Sequence, residues 1–301
     1  MKPDNQQYTD AISKANVLME AMPYLQRFRD SVFVVKYGGA FMDDPDPDLR
    51  KRVAADITFL SSVGIHVVVV HGGGKAISRA METAGIEVEF RNGFRYTSSD
   101  AMKIVERTLN DEINSEICAM ISEFGGSAQG IRGNDVLRCK RQEKDGLGNA
   151  VDLGFVGEIT DVRTDLIRDA ISRRMIPVVS PVAVDVDGNP YNTNADIAAS
   201  KVASAMGARR LVFLCDVAGL LLDPKDPSTL ISSLKVSEVA GLISRGIIGK
   251  GMLPKVDGAC MALTDGVKRV HFVDGYMPHS ILLEIFTNKG IGTEIVGVRD
   301  A

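Results

Sequence analysis

Four valines in a row, Val67 to Val70, run directly into His71-Gly72-Gly73-Gly74-Lys75. Successive side chains of a strand point to opposite faces of its sheet, so a strand apolar at every position needs cover on both sides. Such strands are typical of parallel sheets sandwiched between helices. The same grammar recurs along the chain. Residues 32–37 end in Lys36-Tyr37 and run into Gly38-Gly39, and 66–70, 176–180, 211–215 and 270–273 are further short apolar runs. Helical patterns fill the intervals, over 48–63, 75–84, 98–123, 161–174, 195–206, 236–245 and 254–263. Strand–helix alternation of this kind predicts an α/β fold with a mainly parallel sheet and helices on both faces. Residues 132–157 read differently, with short alternation and turn glycines, and predict a β-hairpin excursion.

The chain has 301 residues, enough at ~150 per domain for one large domain or two lobes. Pro181, Gly188 and Pro190 place the division at 181–190. The expected organisation is a helical arm over 1–30, an N-terminal lobe over 31–185 and a C-terminal lobe over 186–301. In the arm, Ile12, Ala15, Met19 and Met22 form an apolar stripe across a helix over 9–28, which Pro23 should kink or divide. The stripe suits either packing on its own domain or contact with another subunit. A net charge of −4 speaks against general nucleic-acid binding. The start of the chain lacks a charged-then-apolar signal pattern, and no apolar run approaches ~18 residues. The four cysteines form no C-x-x-C pair. Reduced thiols in a cytoplasmic protein are therefore expected.

Glycines that follow a parallel strand let backbone N–H groups approach an anion, and a helix starting there adds a favourable dipole. Two such turns at separate strand ends mark the edge where open α/β sheets bind ligands. Neither is a Walker loop, and neither matches G-x-G-x-x-G, which weakens a dehydrogenase reading. Lys36 sits at the first turn, and Lys250 and Lys255 flank G-M-L-P at 251–254. Lysines beside glycine turns supply compact positive charge for phosphates. In Tyr191-Asn192-Thr193-Asn194-Ala195-Asp196, Asn194 is an expected N-cap and Asp196 sits in a first helical turn. Arg95 is a candidate fork for a small carboxylate. The four histidines lack metal-ligand spacing, and no G-x-S-x-G elbow occurs. Phosphate-cradling turns, lysines and an acid-binding arginine together point to phosphoryl transfer, where positioning and charge neutralisation do most of the catalysis.

Six segments in order, K-Y-G-G at 36–39, H-G-G-G at 71–74, N-G-F-R-Y-T at 92–97, V-D-L-G-F-V-G at 151–157, N-T-N-A-D at 192–196 and G-M-L-P-K at 251–255, carry a family likeness. By them the chain resembles the amino-acid kinase family, in its acetylglutamate kinase group. The resemblance spans residues 32–298. It implies a three-layer α/β sandwich around about eight strands, with acetylglutamate in the N-terminal lobe and ATP, accompanied by Mg2+, in the C-terminal lobe. It assigns charge neutralisation to Lys36 and Lys255, and their placement to Asp196. Backbone N–H groups of Gly38, Gly39, Gly73 and Gly74 would meet phosphate, with Gly73 and Gly74 also beside the substrate. Arg95 and Asn192 would bind acetylglutamate. The I-R-G-N-D stretch at 131–135 departs from the family pattern and carries no assigned role. The arm and 279–295 also resemble the arginine-inhibited branch of that group. That likeness implies a homo-oligomer, a dimer or a hexamer built as a trimer of dimers. It also implies an arginine site formed by Tyr24, Lys201, His271, Glu284 and Gly290. Other acyl kinases of the same fold, acting on aspartate or glutamate, and a non-catalytic arginine sensor are the alternatives.

Overall fold

A computed structural model of the chain describes residues 5–39, 42, 44, 46–146, 148–249 and 251–297. Helix α1 (Asn5–Phe28) leads into β1 (Val32–Tyr37), α2 (Pro47–Ser62), β2 (His66–His71) and α3 (Gly74–Thr83). A small ribbon follows, β3 (Phe90–Arg91) and β4 (Phe94–Arg95). Next come α4 (Ser99–Arg107), a π-helical turn (Thr108–Ile113), α5 (Asn114–Glu123), β5 (Ala128–Ile131), the single turn α6 (Gly133–Val136) and β6 (Leu137–Arg141). The chain continues through β7 (Gly157–Val162), α7 (Asp165–Ser172), β8 (Ile176–Val179), β9 (Val182–Val184) and β10 (Pro190–Asn192). It closes with α8 (Ala195–Met206), β11 (Arg210–Cys215), β12 (Ser233–Lys235), α9 (Val236–Ser244), α10 (Leu253–Thr264), β13 (Arg269–Asp274), α11 (Ser280–Phe286) and β14 (Thr293–Val296).

Eight strands form one sheet in the order β12-β14-β13-β11-β1-β2-β8-β5, and every neighbouring pair is parallel except β13–β14. The continuous apolar runs are explained by the two cores. Val34, Val68, Val70, Leu211 and Phe213 face one side, packed with Ala199, Val202 and Ala203 of α8 and Val256 and Ala259 of α10. Phe33, Val35, Val67, Val69 and Val212 face the other, packed with Ile57 and Leu60 of α2 and Val105, Ile117 and Ile121 of α4 and α5. Fully burying each such side chain contributes about 1.5–3 kcal/mol. The expected α/β sandwich is thus the observed one. Among the described residues, no helix is long and apolar enough to cross a membrane.

Several details depart from expectation. The helix expected over 161–174 starts at Asp165, because Asp161 and Val162 finish β7 as partners of Arg138 and Leu137. The excursion expected over 132–157 is a β6–β7 pair, but its second strand begins only at Gly157 and runs on to Val162. The helical stretch 98–123 holds a wide π turn at its centre. Helix α1 runs undivided through Pro23. Beyond the proline, Tyr24 and Phe28 hold the helix in aromatic contact with Phe286 and Phe33. At the expected lobe boundary, β9 and β10 join β6 and β7 in a small second sheet. The halves on either side share the large sheet, since β1 and β11 are neighbours.

Candidate active site

Lys36 lies at the end of β1, in register with Val70 of β2 and Phe213 of β11. The parallel arrangement brings it to the carboxyl edge of the sheet, beside the start of α8. There the Asn194 side chain accepts hydrogen bonds from Asp196 N (2.8 Å) and Ile197 N (3.1 Å), capping α8 as expected. Capping by the neighbour leaves the Asp196 carboxylate for the two lysines. Lys36 Nζ lies 2.9 Å from Oδ1, and Lys255 Nζ donates to Oδ2 at 2.7 Å. Lys255 sits in the first turn of α10, just after Pro254. Close approach of α10 to α8 depends on Gly258, where a Cβ would stand 2.7 Å from Ser200 Oγ. Burial pushes the Asp196 carboxyl up, but Lys36 and Lys255 outweigh it and hold it below its ordinary value. Burial likewise pulls Lys255 down, and Asp196 more than restores it, so its ammonium titrates above the usual range. Two ammonium groups on one carboxylate leave one net positive charge at the sheet edge. Lys250, the other lysine of that stretch, lies outside the described residues.

The two glycine turns meet beside this cluster. Gly72 N donates to Tyr37 O at 2.8 Å, tying the second turn to the end of β1. A Cβ on Gly38 would stand 2.7 Å from Lys36 Nζ, so any side chain there would displace the lysine. Gly39 has φ 128°, a conformation reserved for glycine. Gly73 precedes α3, whose first turn has no side-chain cap. The first-turn N–H groups and the helix dipole there are of the kind that favours a nearby anion.

Arg95, on β4, is 9% exposed and reaches over the start of α3. Its Nη2 donates to Gly74 O (2.7 Å) and Ser78 Oγ (2.8 Å), and its guanidinium carbon lies 4.8 Å from the Phe90 ring centroid. Burial lowers its pKa. Asn192, ending β10, places Nδ2 3.4 Å from Thr97 Oγ1, and Thr97 Oγ1 in turn donates to Arg95 O. Thr97 O accepts from Phe155 N, and Gly154 (φ 68°) permits that approach, since a Cβ there would stand 2.2 Å from the same oxygen. The 92–97, 151–157 and 192–196 segments therefore converge on one wall. Thr97 and Ser78 were not singled out in the sequence. Thr97 lies within one of the motifs, but Ser78 carries no local signal.

A cavity of about 650 Å³ lies on the opposite edge, between α1, α11 and β13. Tyr24, His271, Glu284 and Gly290 all line it. His271 Nδ1 is 2.7 Å from Glu284 Oε1, while Glu284 Oε2 accepts from Ile291 N (2.8 Å) and Gly292 N (2.9 Å). Burial raises the Glu284 carboxyl, but these donors, His271 foremost, bring it below its ordinary value. Gly290 (φ 62°) leaves room for that carboxylate, because a Cβ would come within 2.4 Å of Oε2. Lys201 is not brought to this cavity: it lies on α8. The basic lining is Arg27, Arg210, Arg269 and Lys289 instead. Arg210 is 5% exposed, and burial together with the Arg269 charge lowers its pKa to about 10.

Among the described residues, no cluster of three His, Cys, Asp or Glu side chains is placed to hold a metal. Both Asp196 oxygens face lysines, so Mg2+ fits this site only as a companion of nucleotide phosphates.

A carboxyl-edge site of paired lysines and glycine turns on this sheet defines a phosphoryl-transfer protein, and residues 31–274 match the amino acid kinase family model. The chain belongs to the amino acid kinase family, and it is a kinase. It is 45% identical over 290 residues to an acetylglutamate kinase of Akkermansia muciniphila, covering 96% of this chain and 97% of that protein. It is 46% identical over 286 residues to one of Syntrophomonas wolfei, covering 95% and 98%. These matches place the chain with the acetylglutamate kinases of the family. An N-acetylglutamate synthase from Neisseria gonorrhoeae, solved with coenzyme A and N-acetyl-glutamate, superposes with TM-score 0.81 at 25% identity over 94% of this chain. The chain spans 63% of that synthase's length.

Proposed function

We propose that this protein transfers the terminal phosphoryl group of ATP to the side-chain carboxylate of N-acetyl-L-glutamate, a step in arginine biosynthesis. The observation that carries the reading is the Lys36–Asp196–Lys255 cluster between two glycine turns. A carboxylate oxygen attacks the γ-phosphorus, the bond to the β,γ-bridging oxygen breaks, and ADP leaves. The products are ADP and N-acetyl-L-glutamyl 5-phosphate. The nucleophile is ionised at neutral pH, so the step needs no general base. Lys36 and Lys255 neutralise charge that builds on the transferring group, and Asp196 orients both. Gly38, Gly39, Gly73 and Gly74 offer backbone N–H groups to the phosphates. Mg2+ on the nucleotide would supply further charge neutralisation. Arg95 pairs with the substrate α-carboxylate, and Asn192 completes that wall. On this reading, 31–185 carry acetylglutamate and 186–301 carry ATP. The free cysteines suit a cytoplasmic location.

The cavity on the opposite edge would take arginine as a feedback inhibitor, with Glu284 facing the guanidinium and Tyr24, His271 and Gly290 around it. Arg210 replaces Lys201 as the basic partner for the inhibitor's carboxylate, because it lines the cavity and Lys201 does not. The exposed Ile12, Val17, Leu18 and Met19 of α1 would be covered by another subunit, consistent with a dimer or a hexamer.

A hydroxamate assay for acyl phosphate tests the reading. Acetylglutamate should be turned over at least tenfold more efficiently than glutamate or aspartate, and arginine should slow it. Equal use of aspartate or glutamate would favour another acyl kinase, and no acyl phosphate from any of them would favour a sensor.

A further inference from the structure

His71 ends β2 and is completely buried, yet the chemistry above gives it no task. Burying an imidazole is costly unless both nitrogens are satisfied. Here both are. Nδ1 lies 2.9 Å from Gly72 O, and a carbonyl only accepts, so Nδ1 carries the proton. Nε2 is then the acceptor and faces Asn114 Nδ2 at 3.3 Å. Burial lowers the His71 pKa to about 4, which keeps this tautomer neutral at working pH. Asn114 Nδ2 also donates to Val178 O (2.8 Å), near the end of β8. Room for the Asn114 carboxamide comes from Gly130, where a Cβ would stand 2.3 Å from Oδ1.

The consequence falls on Gly72. Its N–H is held by Tyr37 O at 2.8 Å and its carbonyl by the His71 ring, so the peptide groups on both sides of Gly72 are fixed. The π turn brings in the rest. π turns are single wide turns that concentrate at functional sites. Here Leu109 and Ile113 press on Gly73, where a Cβ would come within 2.8 and 2.4 Å of their methyl groups. The next residue, Asn114, reaches His71. One wide turn thus sets both the packing against Gly73 and the hydrogen bond behind Gly72.

We propose that His71 and Asn114 are positioning residues for phosphoryl transfer, locking the Gly72 peptide so that the Gly73 and Gly74 N–H groups stay aimed at the group held by Lys36 and Lys255. The proposal rests on the kinase reading above for its kinetic part only.

Three substitutions at one position separate the contacts. In His71→Asn the amide nitrogen occupies the place of Nδ1 and still donates to Gly72 O. In His71→Gln the amide reaches the place of Nε2 and abandons Gly72. His71→Leu keeps neither contact. With MgATP and acetylglutamate, His71→Leu should lower kcat about tenfold to a hundredfold, the scale set by a small misplacement of reacting groups. KM for both substrates should stay within about threefold. His71→Asn should recover most of that loss and His71→Gln should not. Asn114→Ala should lower kcat about threefold to tenfold. Amide hydrogen exchange over 72–77, read without substrate, should quicken in His71→Leu and His71→Gln but not in His71→Asn. Unchanged kcat with unchanged exchange in His71→Leu would overturn the proposal. So would His71→Asn as impaired as His71→Leu, since that pattern belongs to packing alone. If His71→Leu does not fold, His71→Asn against His71→Gln decides. If the parent does not phosphorylate acetylglutamate, the function reading fails, and the exchange data still decide the positioning.

Discussion

Replacing Asp196 by Asn keeps the shape of the side chain and removes its charge, leaving two enclosed ammonium groups without a counter-ion. Removing one partner of a buried ion pair costs about 3–5 kcal/mol. The Lys255 side chain is 20% exposed, so water relieves part of the penalty and ~3 kcal/mol is the expected loss at pH 7. Large domains shift by about 2–4 °C per kcal/mol, which gives a Tm lower by roughly 6–12 °C. Neutral pH is the right condition. Asp196 has a lowered pKa, so its stabilisation is complete above about pH 4 and is lost as pH falls through the depressed value. Lys255 has a raised pKa, so its stabilisation is complete below about 10.5 and is lost as pH rises through the elevated value. In Asp196→Asn, burial loses its main opponent, with Asp216 still pulling the other way, and the Lys255 pKa should fall. The phosphates of MgATP would restore the missing negative charge, so nucleotide should raise the Tm of the variant more than that of the parent. Turnover should drop by about 10²–10³. Thermal melting with and without MgATP reads the stability effects, and the hydroxamate assay reads the rate. A variant melting within about 2 °C of the parent, with an equal nucleotide shift, would refute the argument.

Other substitutions probe separate parts. Gly73→Ala inserts a methyl within 2.4 Å of Ile113 and 2.8 Å of Leu109. It should cost about 1–3 kcal/mol by denaturant titration and lower kcat by more than that stability loss implies. Glu284→Gln weakens the bonds from His271, Ile291 and Gly292, so it should raise the arginine concentration for half-inhibition at least tenfold. Its kcat without arginine should stay within about twofold, and loss of both properties together would remove Glu284 from an inhibitor site. Deleting residues 1–22 spares Tyr24 and the buried Phe28 but removes the exposed apolar face of α1. If the parent runs as a hexamer, size-exclusion mass should fall to that of a dimer, and a retained hexamer would deny the arm a role in assembly.

The central strands were legible because two-sided burial writes itself as unbroken apolar runs. The Asn194 cap was legible because its contacts lie two and three residues away, and the glycine turns because their glycines directly follow apolar runs. Edge strands β12 and β14 were not, because short, mixed segments become strands only when a partner arrives. Helix α11 was equally hidden. It follows His279, which is in a left-handed conformation (φ 56°) and whose Nδ1 lies 2.7 Å from Asp56 Oδ1 on α2. Asn114 and His71 are 43 residues apart, and neither has a local signature of the other. Lys201 and Arg210 show the same limit for charges: the family likeness suggests Lys201, but the fold decides which basic residue faces the cavity.

The pairing of β1 with β11 has a consequence for how the chain is made. β1 acquires its β2 neighbour soon after synthesis, but the edge facing β11 stays bare until residues 210–215 leave the ribosome. At ~5–20 residues per second, that delay is about 10–35 s. Throughout it, Phe33, Val34 and Val35 line an unprotected edge of the kind that recruits other strands. Nascent chains halted before residue 210 should therefore depend on chaperones, whereas chains released after β11 can close the sheet themselves.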